Sequence, residues 1–348
     1  MALICRWESS SILLDFYFAL HLGVASTSWM GLCNLEADLE PEASKYTFEE
    51  VQKIPRMRVV DWQGKPSLLV DTDCYIFTLL GGHPRDANWD KDVTQKAAEL
   101  MEEATNSIYN HIFSRVYYST QHKEKKRCKA GKATLLHKKV PHRGTHHLKS
   151  ISSSMGGGQE VPTNFFHSVL NTIILTGLLV QEPFQHIVGF TNSLFQTYAP
   201  NLHLYYHQMM EQLHTWNQNL QRNFLPTISV FAAATFNFSM QTVTFSHLDF
   251  TNLAWSWCTI TALGDFDPDY GGHIILWDLK LIICFLPECT LFIPSALVQH
   301  SNTSVQAHKK QFSFTQYTVT SIFHFVNNGF CSEVAVNASG LSAVQQAE

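Results

Sequence analysis

The rhythm of apolar and polar positions changes several times along this 348-residue chain. Residues 57–82 alternate with period 2 around the turn-like Gln63-Gly64-Lys65 and end at Gly81-Gly82, which predicts a two-strand unit. Over 90–115, Val93, Ala97, Leu100, Met101 and Ile108 recur near helical spacing, so a helix is expected there. Gly156-Gly157-Gly158 opens a longer helical stretch, with breaks at Pro183 and Pro200, that reaches about Arg222. Within it, VLNTIILTGLLV is too short to cross a bilayer and is followed at once by Gln181, Glu182 and Pro183, so it predicts a buried helix. From about Pro226 the pattern turns to strands, with Thr, Val, Ile and Phe alternating through Phe330. The segment from Ser332 carries no strong pattern and is expected to fray.

Two segments interrupt these rhythms. SSILLDFYFALHLGVASTSWMGLC is superficially like a signal peptide, but Asp15 inside the apolar run and Glu8 beside its start argue against that reading. Residues 1–50 are therefore taken as a poorly specified extension. From His122 to Lys149 the chain is dense in Lys, Arg and His with a single acidic residue. This basic insertion, 121–150, reads either as a nuclear-localisation signal or phosphate-contacting arm, or as a solvated insertion. The net charge of −5 argues against a generally basic surface, so any nucleic-acid contact must come from a local patch. Eight Cys without a C-x-x-C pair outline neither a zinc ribbon nor a disulfide framework, which fits a reducing intracellular compartment. Cys258, in WSWCTITAL, reads as a small buried hydrophobe.

Candidate chemistry concentrates late in the chain. His247 and Asp249 sit two apart in TVTFSHLDF, where period-2 alternation points both side chains to one face. His300 closes the apolar run LFIPSALVQH, beyond the turn signal Gly271-Gly272, and must arrive from another strand. Two imidazoles and one carboxylate are the facial set that holds a non-haem Fe(II) while leaving open positions. An isolated H-x-D is weak in a chain with 18 His; this one is unique in the sequence and is followed by a strand-terminal His. His203, His207 and His214 include an i, i+4 pair, but no carboxylate is spaced to complete a zinc motif, so they read as ordinary surface histidines.

The stretch Phe231–Phe330 also resembles a known family. FAAATFNF, HLDFTNLAWSWCTITALGDFDP, GGHIILWDLKL, FIPSALVQHSN, FSFTQYT and NNGF are similar to the catalytic core of the TET/JBP Fe(II)- and 2-oxoglutarate-dependent nucleic-acid oxygenases, in particular the fungal branch. Weaker similarity extends upstream through SMGGGQEVPTNF, RVVDWQGKPSLLVD and GGHPRDANWD. The resemblance implies an α+β fold whose core is a double-stranded β-helix of jelly-roll or cupin type, buttressed by helices. It places the oxygenase domain at 151–331 with its metal-binding core at 226–330, after a strand-helix region at 51–120 and before a tail at 332–348.

It further implies His247, Asp249 and His300 as the iron ligands, Ser313 as a contact to the distal carboxylate of 2-oxoglutarate, and Asn252 and Tyr317 as contacts to the target base. The activity implied is oxidation of the methyl group of 5-methylcytosine in DNA, in the nucleus, with no membrane partner. Gln311 departs from the pattern, because the family places there an Arg that pairs with the co-substrate carboxylate. An amide cannot reproduce that charge-assisted contact. Lys309 and Lys310 adjoin the position and are candidates to supply the missing charge to the co-substrate, Lys310 only if a bulge moves it from the opposite face to which strand alternation points it. A second base-contacting position falls on Val319, which offers no hydrogen bond. Two other readings remain open at this level: a catalytically degenerate member acting as a nucleic-acid-binding or interaction module, and an oxygenase with a different substrate.

Overall fold

The structure, a computed structural model, describes residues 10–14, 45–109 and 147–339. Most of the signal-like run and nearly all of the basic insertion fall outside these residues. Thirteen strands run among the described residues: β1 (Ser10–Leu13), β2 (Arg58–Val60), β3 (Ser67–Val70), β4 (Ile76–Gly82), β5 (Leu148–Ser154), β6 (Thr163–Asn164), β7 (Ala233–Asn237), β8 (Cys258–Gly264), β9 (Ile274–Leu276), β10 (Leu281–Ile283), β11 (Thr290–Ile293), β12 (His300–Asn302) and β13 (Gln311–Tyr317). They form a nine-stranded sheet in the order β1-β3-β4-β11-β8-β13-β7-β5-β6 and a four-stranded sheet in the order β12-β9-β10-β2. Pairing is antiparallel except at the two edge pairs β1–β3 and β2–β10.

The fold is thus mixed α and β, with apolar layers on both sides of the large sheet. One layer joins it to the small sheet: Leu69, Leu80, Ala262 and Leu291 meet Ile274, Leu276, Leu281 and Ile283. The other joins it to helices, where Phe236, Phe312 and Phe314 pack against Phe184, Ile187 and Val188. Strand β13 shows how the sequence makes both layers at once. Phe312 and Phe314 are buried toward the helices, each worth roughly 1.5–3 kcal/mol on removal from water. Gln311, Ser313, Thr315 and Tyr317 alternate with them and face the interior between the sheets. Of that row Gln311 is buried and requires hydrogen-bond partners, while Ser313, Thr315 and Tyr317 are half-buried and face a cavity.

The helical buttress follows the sequence closely at its prolines. Helices run Val169–Leu179, Glu182–Tyr198 and Pro200–Trp216, with Pro183 and Pro200 inside first turns, where proline lacks only a hydrogen bond the helix would not have made. In the second helix Phe184, Ile187, Val188, Thr191, Leu194 and Phe195 are buried at helical spacing. The helix expected over 90–115 begins with a π turn, Asp90–Thr94, and buries Val93, Ala97, Met101 and Ile108.

Several expectations are corrected. Gln63-Gly64-Lys65 does not join paired strands: β2 lies in the small sheet and β3 in the large one, so the chain crosses between layers there. The glycine run 156–158 opens no helix, because strand β6 intervenes before Val169. The helix Val169–Leu179 is not buried all round; Leu175, Leu178 and Leu179 are covered while Val169 and Ile173 are 78% and 62% exposed. The strand pattern does not continue to Phe330, since residues Thr320–Asn327 form a helix whose Ile322, Phe323, Phe325 and Val326 are buried. Beyond Ser332 the chain forms a helix, Glu333–Ser339.

Candidate metal centre

Strand β12 and the segment 242–249 build the site together. His247 and His300 face each other as an antiparallel bridge and exchange backbone hydrogen bonds, N–H of each to the carbonyl of the other, both at 3.0 Å. Their rings lie 4.4 Å apart, centre to centre. Two residues on, the Asp249 amide donates to the Ser295 carbonyl at 2.8 Å, which turns its carboxylate back toward the imidazoles; Oδ1 sits 3.7 Å from His247 Nε2. One ligand atom from each of the three lies within 4.8 Å of the other two, and no other group of His, Cys, Asp or Glu among the described residues qualifies. His203 instead places Nε2 2.9 Å from Asn192 Oδ1.

The two imidazoles are oriented alike. His247 Nδ1 lies 2.8 Å from the Phe245 carbonyl, and His300 Nδ1 lies 2.9 Å from the Val298 carbonyl. A carbonyl oxygen only accepts, so each Nδ1 carries the hydrogen and each Nε2 of the neutral ring carries the lone pair. Carbonyls used in this way fix ring direction and make the ligand nitrogen more basic. Both histidines are buried and the carboxylate is partly exposed. This donor set fits a divalent first-row metal such as Fe(II), held on one side by protein and open on the other.

The trio opens onto a cavity of about 290 Å³ between the sheets. Gln311, Ser313, Tyr317, Asn252 and Val319 all line it, so β13, the turn after Asp249 and the N-cap residue of the helix Thr320–Asn327 deliver those expected positions to one space. Asn252 has two roles. Its backbone N–H closes a turn onto the Asp249 carbonyl at 2.8 Å, and its side-chain nitrogen donates to Ser295 Oγ at 3.0 Å. Cys258, buried on β8, is part of the wall, together with Ile260 and Ala262. Lys310 does not join: alternation turns it to the opposite face, where Nζ lies 2.7 and 2.8 Å from the two carboxylate oxygens of Glu102. It is corrected from a co-substrate contact to an ion-pair partner of the neighbouring helix.

Asn302 is the functional residue that reading the chain misses. Its Oδ1 accepts from the Thr244 amide at 2.9 Å and from Thr244 Oγ1 at 3.1 Å, while Nδ2 donates to the Thr242 carbonyl at 2.6 Å and to Gln311 Oε1 at 3.2 Å. It therefore ties the His247 segment, β12 and β13 into one polar network. The available signal was its place two residues after His300, on the same strand face. Gln311 completes the network by donating from Nε2 to the Gly272 carbonyl at 3.0 Å. Gly272 has φ +82°, and a Cβ there would sit 2.6 Å from the Phe266 ring, so the turn accepts only glycine.

No family profile matches this chain, and no curated protein matches it. Among solved structures, it is similar to NgTET1 in complex with 5mC DNA at 10% identity, covering 76% of this chain and 82% of that one, with a TM-score of 0.45. It is also similar to an oxidoreductase of the 2OG-Fe(II) oxygenase family from Burkholderia pseudomallei at 14% identity, covering 51% of this chain and 72% of that one, with a TM-score of 0.28. Neither likeness is close enough to establish a shared fold.

Proposed function

We propose that this chain is an Fe(II)- and 2-oxoglutarate-dependent dioxygenase that oxidises the methyl group of 5-methylcytosine in DNA. One observation carries the oxygenase part: one ligand atom each from two imidazoles and a carboxylate within 4.8 Å of one another, lining a cavity between two sheets. In this reading the facing sheets are the two halves of a double-stranded β-helix, and His247, Asp249 and His300 sit at its open end. The substrate follows from the resemblance of residues 231–330 to the TET/JBP core, and a place in the nucleus follows from that substrate.

When bound, the iron and its 2-oxo acid supply the oxidising chemistry. The rest falls to the chain. The carbonyls of Phe245 and Val298 hold each imidazole with its lone pair toward the metal. Ile260, Ala262, Ile274 and Phe285 give the cavity an apolar side that limits water around the reacting centre. A cytosine must leave the duplex stack to reach such a cavity. Asn252 and Tyr317, both lining the cavity, are the residues that would orient the base: Asn252 by amide hydrogen bonds and Tyr317 by its ring face.

The test is succinate formation by the Fe(II)-loaded full chain with 2-oxoglutarate, with and without methylated duplex DNA. Methyl-dependent succinate and a matching loss of 5-methylcytosine are expected. Turnover stimulated by RNA or protein but not by DNA would replace the substrate and keep the oxygenase. Metal binding without turnover under any condition would leave a catalytically degenerate binding module.

A further inference from the structure

The inner wall of the cavity is built from groups that stay neutral. On β13 it presents Gln311, Ser313 and Thr315, and on β7 Thr235 and Asn237. These are not loose polar side chains. Asn237 Nδ2 donates to Ser313 Oγ at 2.8 Å. A hydroxyl accepts through its lone pairs and donates through its single proton, so this contact leaves the Ser313 proton to point elsewhere. Gln311, 5% exposed, accepts from Asn302 Nδ2 at Oε1 and donates from Nε2 to the Gly272 carbonyl. Its amide is thus held between two fixed partners on two different strands or turns. The nearest fixed cation in the sequence, Lys310, is turned away and paired with Glu102. Among the described lining residues, the ionisable groups other than Tyr317 and Cys258 are the three metal-centre side chains.

A 2-oxo acid that chelates a metal at His247, Asp249 and His300 has to place its far end within this cavity. If that end is a carboxylate, it meets hydroxyl and amide dipoles rather than a guanidinium. Charge-assisted contacts are about twice as strong as neutral ones, and a buried anion without one keeps much of its desolvation penalty. We infer that this cavity holds the far end of a 2-oxo acid through uncharged donors, with Ser313 Oγ the first of them. It therefore accepts 2-oxo acids with an uncharged tail nearly as well as 2-oxoglutarate. The inference rests on the oxygenase reading and specifies the class of co-substrate that this site takes: small 2-oxo acids, with little selection by tail charge.

The experiment is calorimetric titration of the Mn(II)-loaded full chain, without oxygen, with 2-oxoglutarate and with 2-oxohexanoate, which has a similar length and an uncharged tail. The two dissociation constants are expected within about tenfold of each other, since no full charge-assisted contact separates them. Ser313→Ala is expected to weaken 2-oxoglutarate several-fold and leave 2-oxohexanoate unchanged. Gln311→Arg is expected to tighten 2-oxoglutarate by about tenfold or more without helping 2-oxohexanoate, because it adds a guanidinium that pairs with the carboxylate alone. A parent chain that binds 2-oxoglutarate on the order of 100-fold more tightly than 2-oxohexanoate overturns the inference and leaves the oxygenase reading standing. If Mn(II) binds and neither acid does, the oxygenase reading itself falls and takes the inference with it. Should Gln311→Arg fail to fold, the parent ratio and Ser313→Ala decide.

Discussion

Asn302→Ala separates a positioning role from a purely ligating one. Asn302 is 8% exposed, lines the cavity and is not one of the three metal-ligand side chains; it fastens residues 242–244 to β12 and β12 to Gln311. Truncation removes the partners of the Thr244 amide, the Thr242 carbonyl and Gln311 Oε1 together. A buried polar group left without a partner costs about 1–3 kcal/mol, and water entering through the adjoining cavity offsets part of that, so a total of about 2–4 kcal/mol is expected. The metal site should suffer as well. His247 lies in the segment whose register Asn302 helps to hold, alongside the direct backbone pair between His247 and His300, and loss of an outer partner of this kind typically costs about 10- to 100-fold in metal affinity. Asn302→Asp should be no milder, because it keeps the acceptor for Thr244 but sets a carboxylate oxygen against the Thr242 carbonyl. Thermal unfolding with and without Mn(II), together with metal titration, reads both effects. An alanine variant with an unchanged Tm and a metal Kd within about twofold of the parent would refute the network's role.

Other outcomes follow from the same geometry. Ala262→Leu puts a larger side chain into the cavity wall from β8, so 2-oxo acid binding should be lost while metal affinity is retained, at a stability cost of about 1–3 kcal/mol; unchanged 2-oxo acid binding would mean the co-substrate lies elsewhere. Burial, with Asp90 beside it and hydrogen-bonded to it, pushes the Glu288 carboxyl up to about 7. The folded state thus favours the protonated acid; that stability is fully present below the ordinary carboxylate pKa and is lost as pH rises through about 7. Comparison of Tm at pH 5 and 8 should show a fall that Glu288→Gln abolishes, and an identical fall in the variant would contradict the assignment. Neutralising Lys123, Lys125, Lys126 and Arg127 should weaken DNA binding equally across sequences and flatten its salt dependence; an unchanged slope would make the segment a solvated insertion.

Part of the site was legible from period-2 alternation, which correctly turned Lys310 away from the face of Gln311. His247 and Asp249 do meet, but not as neighbours on a strand face: residues 242–249 form no strand, only the isolated His247–His300 bridge, and the Asp249 amide is tied to the Ser295 carbonyl. Proline was equally direct, since a ring with no N–H cannot continue a helix and so divides the helical stretch at Pro183 and Pro200. Where the pattern was mixed, local reading failed. TVTSIF looks like a continuing strand, yet Thr320–Asn327 is a helix, because its apolar residues cover Tyr205 and Tyr206 on a neighbouring helix.

The sequence by itself determined where the helical stretch breaks at Pro183 and Pro200, that Lys310 turns away from Gln311, and that two imidazoles and a carboxylate were available with the right chemistry. These are consequences of backbone geometry within a few residues of each position. Only the tertiary structure decided which faces meet. It carried the chain at Gln63-Gly64-Lys65 from one sheet to the other instead of closing a hairpin, and it paired His247 with His300 across 53 residues. It also converted Asn302 from an unremarked strand residue into the tie between three segments. Such contacts depend on sheet order and on the partners that buried polar groups must find, and neither is written in any local window.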